Sequence, residues 1–333
     1  MISSKQPIAG HDIARHYDEL DAFYRDVWGE HFHHGLWLRG DESAELAVLQ
    51  LVELVAREAA IERGTHVIDI GCGYGATARM LATERGAQVT AITISTAQYA
   101  IATRSSSFST PGRSRDEDDG GERPLPSEPQ MDADGHRWAE PTPSSAPICV
   151  HLRPQSTGRE PNPRYLLGDW LTNDLPEQSF DAAIAIESSE HMPDKPRFFA
   201  KAYRVLRPGG RLIICAWLAA ECPTPNQERW LLEPIARESR MPHLGSESDY
   251  RRLATDAGFT VERVQDVTRQ TAPTWPWVAR TFLLKLLQRP AYVRFLLNRH
   301  AHNRIFALTI LRLIIAFRTG AMRYGVFTLR KGS

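Results

Sequence analysis

Cysteine is scarce in this chain of 333 residues. The four, Cys72, Cys149, Cys215 and Cys222, stand far apart or in unlike settings, with neither the spacing of a zinc site nor that of a secreted disulfide framework. No metal is expected, and a reducing cytoplasm fits best. Net charge is missing too: 40 basic residues balance 40 acidic ones. No global field draws the chain to a phosphate backbone or an anionic bilayer, so nucleic acid is not expected as a partner. Met1 to His11 lacks a basic stretch followed by an apolar one, so no secretory signal or anchor is expected there. A long hydrophobic run is also absent. Ile305 to Phe317 is strongly apolar but is interrupted by Arg312 and falls short of the roughly 20 residues that cross a bilayer. It reads as a buried or lid helix.

What is present suffices for a substantial core. Hydrophobic residues make up 42% of the chain, enough for one large α/β domain or two small ones. Between Asp41 and Ile61, the residues Leu46, Leu49, Val52, Leu54 and Val55 recur at helical spacing, with Asp41 or Ser43 as N-cap. Thr65 to Ile70 is continuous and β-branched, as in a strand buried on both faces of a parallel sheet. Tyr74 to Arg85 then reads as a helix stopped by Gly86, and Gln88 to Ile94 as a strand entering a helix capped by Ser95. Further strands are expected at Tyr165 to Leu167, Phe180 to Ile186, Arg211 to Trp217, Phe259 to Val267 and Tyr324 to Leu329. A helix from Asp194 to Leu206 ends at the turn Pro208-Gly209-Gly210, and Ser246 with Asp249 forms a capping box. Seven strands with interleaved helices result.

Residues 104–163 differ. They hold ten of the chain's 22 prolines and the charged run Arg113 to Asp119. Ordering a residue costs about 1–2 kcal/mol of backbone entropy, and this stretch has no apolar clusters to offset it. A disordered surface insertion is expected.

Val67-Ile68-Asp69-Ile70-Gly71-Cys72-Gly73-Tyr74-Gly75 sets glycines at alternate positions on a strand-to-helix turn. Backbone there passes close to a ligand, and glycine removes the Cβ obstacle. The dinucleotide spacing G-x-G-x-x-G is not met, because the third glycine comes one residue early. Asp69 just before the loop favours a cationic amino-acid tail over a pyrophosphate. A tight turn without ligand, and a nicotinamide or flavin site, stay open at this point.

The loop resembles motif I of class I S-adenosyl-L-methionine-dependent methyltransferases, Ser179 to Glu187 motif II, and Arg204 to Leu212 motif III. Tyr17-Asp18, Trp28-Gly29-Glu30-His31-Phe32-His33-His34-Gly35, Glu187-Ser188-Ser189-Glu190-His191-Met192-Pro193-Asp194-Lys195 and Ala316 to Gly325 resemble the γ-tocopherol methyltransferase family. The resemblance covers nearly the whole chain except the insertion. It implies a Rossmann-like, doubly wound α/β sheet of seven strands, the last antiparallel, with an N-terminal helical cap and a C-terminal helical lid. The implied organisation is 1–62 cap and acceptor-binding segment, 63–103 and 164–272 cofactor-binding core, 104–163 insertion, 273–321 lid, and 322–333 last strand.

The implied cofactor is S-adenosyl-L-methionine, held by Asp69, Gly71, Cys72, Gly73 and Gly75. Where many class I enzymes end the second strand on an acidic residue, this chain has Thr93. Thr93, Ile94 and the Gln98 amide take over its work, unless Gln98 only caps its helix. Asp169 can accept from an adenine amino group and Trp170 can cover the ring, with a helix cap as the alternative for Asp169. Tyr17 folds over the cofactor, its face toward the sulfonium, while Trp28 and Trp37 pack the cap onto the core.

Glu187, Glu190 and His191 stand at the end of the fourth strand, beside the sulfonium. For a phenolic acceptor a histidine near pKa 6.5 is a fitting base. His191 is the first candidate, in competition with His33, His34 and Glu190. The acceptor expected is a small apolar phenol. The alternatives are N-methylation of a small amine or alkaloid, and C-methylation of a sterol or lipid alkene. A nicotinamide-dependent oxidoreductase and a cofactor-binding protein without catalysis are the readings from other classes. Trp275, Trp277 and the helices from Thr281 to Phe317 read as a lid over an apolar acceptor. Basic residues there, from Lys285 to Arg318, suit a solvated face and leave room for peripheral membrane contact, without stable insertion.

Overall fold

The computed structural model describes residues 1–3, 8–29, 31–107, 162–289, 294 and 306–333. The expected insertion at 104–163, apart from its edges, and the middle of the expected lid lie outside the described residues.

The central strands of this chain bury both faces, and period-2 alternation explains how. In β2 (His66–Ile70) Val67 joins one core cluster while Ile68 and Ile70 join another. In β5 (Phe180–Ile186) Ala182 and Ile184 face the first cluster, Ala183 and Ala185 the second. β6 (Leu206–Ala219) repeats this, with Ile213 and Cys215 against Leu212, Ile214 and Ala216. Successive side chains point to opposite faces, so a continuous apolar run feeds two cores.

Completing the sheet are β3 (Gln88–Thr93), β4 (Arg164–Leu167), β8 (Phe259–Asp266) and β9 (Met322–Lys331). The order is β4-β3-β2-β5-β6-β9-β8. The pairs from β4 to β6 are parallel, and β9 is antiparallel to both neighbours. A separate antiparallel pair, β1 (Ile2–Ser3) with β7 (His243–Leu244), was not legible in the sequence, because two residues carry no period.

One core holds α2 (Ala44–Glu58), which buries Leu51, Val52, Val55 and Ala56 and starts where Ser43 accepts from the Leu46 N–H. It also holds α3 (Ala76–Arg85), α10 (Thr274–Gln288) and α11 (Phe306–Arg318). On the other side lie α5 (Lys195–Val205), capped by Asp194, and α8 (Glu247–Asp256), opened by the Ser246–Asp249 capping box. Between them on the chain run α6 (Pro225–Gln227), a π-helical turn (Glu228–Leu232) and α7 (Glu233–Glu238), and α9 (Thr268–Thr271) precedes α10. At the front are α1 (Gly10–Trp28) and α4 (Thr96–Ser107).

Pro208-Gly209-Gly210 is not a free helix-to-strand turn. α5 ends at Val205, β6 begins at once, and the three residues form a bulge in its pairing with β5, between the Phe180↔Leu206 and Ala182↔Arg211 partners. Gly209 has φ +76°, and a Cβ on Gly210 would stand 2.9 Å from the Arg207 carbonyl oxygen, which explains both glycines.

Candidate active site

The glycine turn leaves β2 with Gly71, Gly73 and Gly75 at φ +80°, +54° and +74°, a region costly for any side chain. Their space is limited by different things. A Cβ on Gly71 would lie 2.4 Å from that of Ser188, and one on Gly75 2.5 Å from the Tyr165 ring, whereas one on Gly73 meets nothing within 4 Å. Gly71 and Gly75 thus let the protein close on itself, Gly71 and Gly73 line a cavity, and of the three only Gly73 has open space where a Cβ would stand.

That cavity is lined by every residue expected at a cofactor except Gly75: Tyr17, Asp69, Gly71, Cys72, Gly73, Thr93, Ile94, Gln98, Asp169, Trp170 and Glu187. At its base Asp69 is buried, its Oδ2 has no hydrogen-bond partner, and burial pushes its carboxyl up to about 7. A cationic group brought to this oxygen restores the lost solvation. Thr93 donates to the Gln98 side-chain oxygen at 2.8 Å, while the Ser95 hydroxyl caps the Gln98 N–H at 3.1 Å. The Gln98 amide therefore turns back to the strand end instead of capping α4. Asp169 uses Oδ1 to accept from the Leu171 N–H at 2.8 Å, and the Trp170 indole N–H reaches the Phe198 carbonyl at 3.4 Å. Both brace the loop after β4 while lining the cavity. The orphaned carboxylate, the open Gly73 and the polar edge at Thr93 and Asp169 fit an amino-acid tail at one end and a nucleoside at the other.

α1 is pinned over this cavity by Asp18, which accepts from the hydroxyls of Ser95 and Thr96 and from the Ala97 N–H at the start of α4. An anion at a helix N-terminus is favoured by its dipole and free N–H groups. This places Tyr17, but not as a bare aromatic face. Its hydroxyl is 2.8 Å from His191 Nε2, and its ring meets that of His191 edge-on. His191 Nδ1 lies 3.1 Å from the Arg240 carbonyl. A carbonyl only accepts, so Nδ1 carries the proton and Nε2 accepts from Tyr17. Burial lowers His191 to about 4. With both nitrogens engaged, the His191 ring has no lone pair left open to the cavity.

A second cavity lies behind the first and is walled by rings, among them Tyr24, Trp28, Trp217 and Trp275. It shares Tyr17, Phe32, His33, Glu187 and His191 with the first. Glu187, at φ +52°, is the hub. It accepts from the His34 N–H at 2.7 Å, His34 Nδ1 at 2.9 Å, the Tyr324 hydroxyl at 2.7 Å and the Trp217 indole at 3.0 Å. Burial pushes its carboxyl up, but the charge and hydrogen bonds of His34, with the charge of His33, hold it at about 2.

His34 is enclosed by Trp217, Trp275, Phe317 and Tyr324. Glu190 accepts from the Trp217 N–H at 2.6 Å and the Ser189 hydroxyl at 3.1 Å, and burial pushes its carboxyl up. Lys195 lies behind, donating to the carbonyls of Ser189 and Glu190, and burial pushes its ammonium down. His33 donates Nδ1–H to the His34 carbonyl at 2.9 Å. Trp28 and Trp37 pack as expected, Trp28 edge-on to Phe32 and Trp275, Trp37 by its indole N–H to Thr274.

The sequence reading missed Trp217, Tyr324 and Ser188 as parts of the site, and Tyr165 as the reason for Gly75. Trp217 had a signal, its place near the carboxyl end of a core strand. The others had none short of the fold.

Residues 43–264 match a family model described as a methyltransferase domain. The chain is similar to the probable chloroplastic tocopherol O-methyltransferase of Oryza sativa subsp. japonica, 27% identical over 96% of this chain and 77% of that protein. It is similar to the 2-methyl-6-phytyl-1,4-hydroquinone methyltransferase of Synechocystis sp., 24% identical over 95% of this chain and 86% of that one. Among solved structures, the geranyl diphosphate C-methyltransferase of Streptomyces coelicolor A3(2), in complex with Mg2+, geranyl diphosphate and S-adenosyl-L-homocysteine, superposes with a TM-score of 0.63. It is 16% identical, over 97% of each chain.

Proposed function

Because the chain belongs to the methyltransferase-domain family and is an S-adenosyl-L-methionine-dependent methyltransferase, we propose that it methylates a small apolar phenol. The observation that carries this is the second cavity. It is walled by aromatic rings and buried histidines, and each of its carboxylates is already engaged: Glu187 by four donors, Glu190 by the Trp217 N–H and the Ser189 hydroxyl, and Glu238 by Arg312 and the Thr309 hydroxyl. Such a chamber suits an uncharged ring with one polar edge and gives an alkylammonium no counter-ion. The similarity to enzymes named for tocopherol and for a phytyl hydroquinone supports the same class.

S-adenosyl-L-methionine supplies a methyl carbon on a positively charged sulfur, open to in-line attack. On this reading Asp69 receives its ammonium group, Gly73 lets it pass, and Thr93, Gln98 and Asp169 receive its hydroxyl and amino groups. Tyr17, Phe32, Glu187 and His191 form a rigid wall against which the acceptor is oriented, and orientation alone can contribute about 7–11 kcal/mol. Residues 1–62 act as cap, 63–103 with 164–272 as cofactor core, 273–321 as lid and 322–333 as last strand. The cytoplasm is part of the proposal: Cys72, Cys215 and Cys222 are free. No helix among the described residues is long and apolar enough to cross a membrane.

The test is label transfer from methyl-labelled S-adenosyl-L-methionine to matched acceptors: prenylated hydroquinones, tertiary-amine precursors of similar size, and sterol alkenes. Label in the hydroquinones is expected. Label confined to amines would replace this reading with N-methylation, and label confined to sterols with alkene methylation.

A further inference from the structure

The two cavities meet at Tyr17, Phe32, His33, Glu187 and His191, so an acceptor hydroxyl must lose its proton beside one of them. Phe32 has no proton chemistry. The oxygens of Glu187 already accept four hydrogen bonds. Tyr17 and His191 satisfy each other, and His191 is closed at its far nitrogen by Arg240.

His33 remains. Its Nδ1 faces a carbonyl and must therefore donate, so in the neutral ring Nε2 holds the lone pair. That nitrogen is buried and has no hydrogen-bond partner. A buried unpartnered acceptor costs stability unless a ligand completes it. His34 Nε2 is also unpartnered, but His34 lines the second cavity alone and is enclosed by four rings.

We infer that His33 is the general base for methyl transfer, its Nε2 taking the hydroxyl proton of the phenolic acceptor. The inference rests on the phenol reading of this same site. The acceptor O–H bond breaks, the proton bonds to Nε2, and the electron pair stays on the oxygen, which enriches the ring as well. The backbone carbonyl of His34 holds the imidazole in register throughout. Burial lowers the pKa of His33, so its ring is neutral before the acceptor arrives, while the nearby Glu187 charge acts the other way and favours the imidazolium once the proton has moved.

His33→Asn tests this, because the Asn amide can still donate to the His34 carbonyl but offers nothing at the position of Nε2. Calorimetry with S-adenosyl-L-homocysteine should show unchanged cofactor affinity. In its presence, wild type should bind 4-propylphenol about two- to tenfold more tightly than 4-propylanisole, and the variant should lose that preference. Turnover of 4-propylphenol should fall about 10²- to 10⁴-fold. Turnover of 4-nitrophenol, already largely ionised at pH 8, should fall far less. An equal loss on both phenols, with the preference for phenol over ether retained, would overturn the assignment and leave His33 a packing residue. Should the Asn variant fail to bind S-adenosyl-L-homocysteine, His33→Ala with added imidazole takes its place: saturable recovery supports the base, and no recovery refutes it. A wild type that methylates no phenol sinks the acceptor reading itself, an outcome separate from wild-type phenol methylation that survives His33→Asn.

Discussion

The backbone N–H and the imidazole Nδ1 of His34 converge on a single oxygen of Glu187, at 2.7 and 2.9 Å. Tyr324 adds a third donor to that oxygen and Trp217 one to the other. One carboxylate thus ties the segment before α2 to the ends of β5, β6 and β9.

Glu187→Gln turns an amide NH2 toward donors that need an acceptor. At least one is left unsatisfied, and stability should fall by about 1–3 kcal/mol. The pH dependence has a definite sign. The folded carboxyl, at about 2, lies below its ordinary value of 4.5, so the unfolded chain takes up the proton first. The contribution is present above 4.5 and lost as pH falls toward about 2. Urea unfolding between pH 5 and pH 3 should show a steeper loss in wild type than in the variant, and parallel curves would refute the role.

Two half-buried histidines add acid sensitivity higher on the scale. His31 and His191 are lowered by burial to about 3 and about 4, from 6.5. Between 6.5 and about 4 the unfolded chain binds protons that the folded one refuses, so their contribution to stability falls with pH across that window. His191→Gln should flatten the unfolding free energy between pH 6.5 and pH 4. An unchanged slope would show that His191 does not titrate as a buried neutral ring.

Asp69 has the opposite sign. Burial raises its carboxyl from 3.8 to about 7, so the folded chain holds the proton longer and loses stability as pH rises through about 7. Asp69→Asn should therefore raise the melting temperature of the ligand-free protein at pH 8 while weakening S-adenosyl-L-homocysteine about 10- to 100-fold. Calorimetry with equal affinity for both proteins would remove Asp69 from the cofactor site.

The glycine turn separates packing from binding. Gly75→Ala drives a Cβ to 2.5 Å from the Tyr165 ring at φ +74° and should cost about 2–4 kcal/mol, partly restored by Tyr165→Leu. Gly73→Ala meets nothing within 4 Å and should cost about 1–2 kcal/mol, yet weaken S-adenosyl-L-homocysteine more than Gly75→Ala does. The reverse order of affinities would assign the open position to Gly75.

The sheet was legible because its central strands are apolar on both faces and its helices carry their caps, Ser43, Asp194 and Ser246, at the expected positions. The lining of the first cavity was legible because its residues follow strand ends in sequence. The acceptor side was legible only as a set of candidates. His33 and His34 are adjacent and chemically identical, and what separates them is set by Glu187, Trp217 and Tyr324, brought in from distant strands. The His191 pairing with Tyr17 spans 174 positions, beyond any local period.

β9 lies between β6 and β8, though it is made after both. On the ribosome, β8 waits without a neighbour until residues 322–331 emerge, and Glu187 waits for the Tyr324 hydroxyl. The glycine turn and the parallel strands around it can assemble earlier. A chain stopped before residue 322 would keep the glycine turn but leave β6 and β8 without the strand that joins them, and Glu187 one donor short.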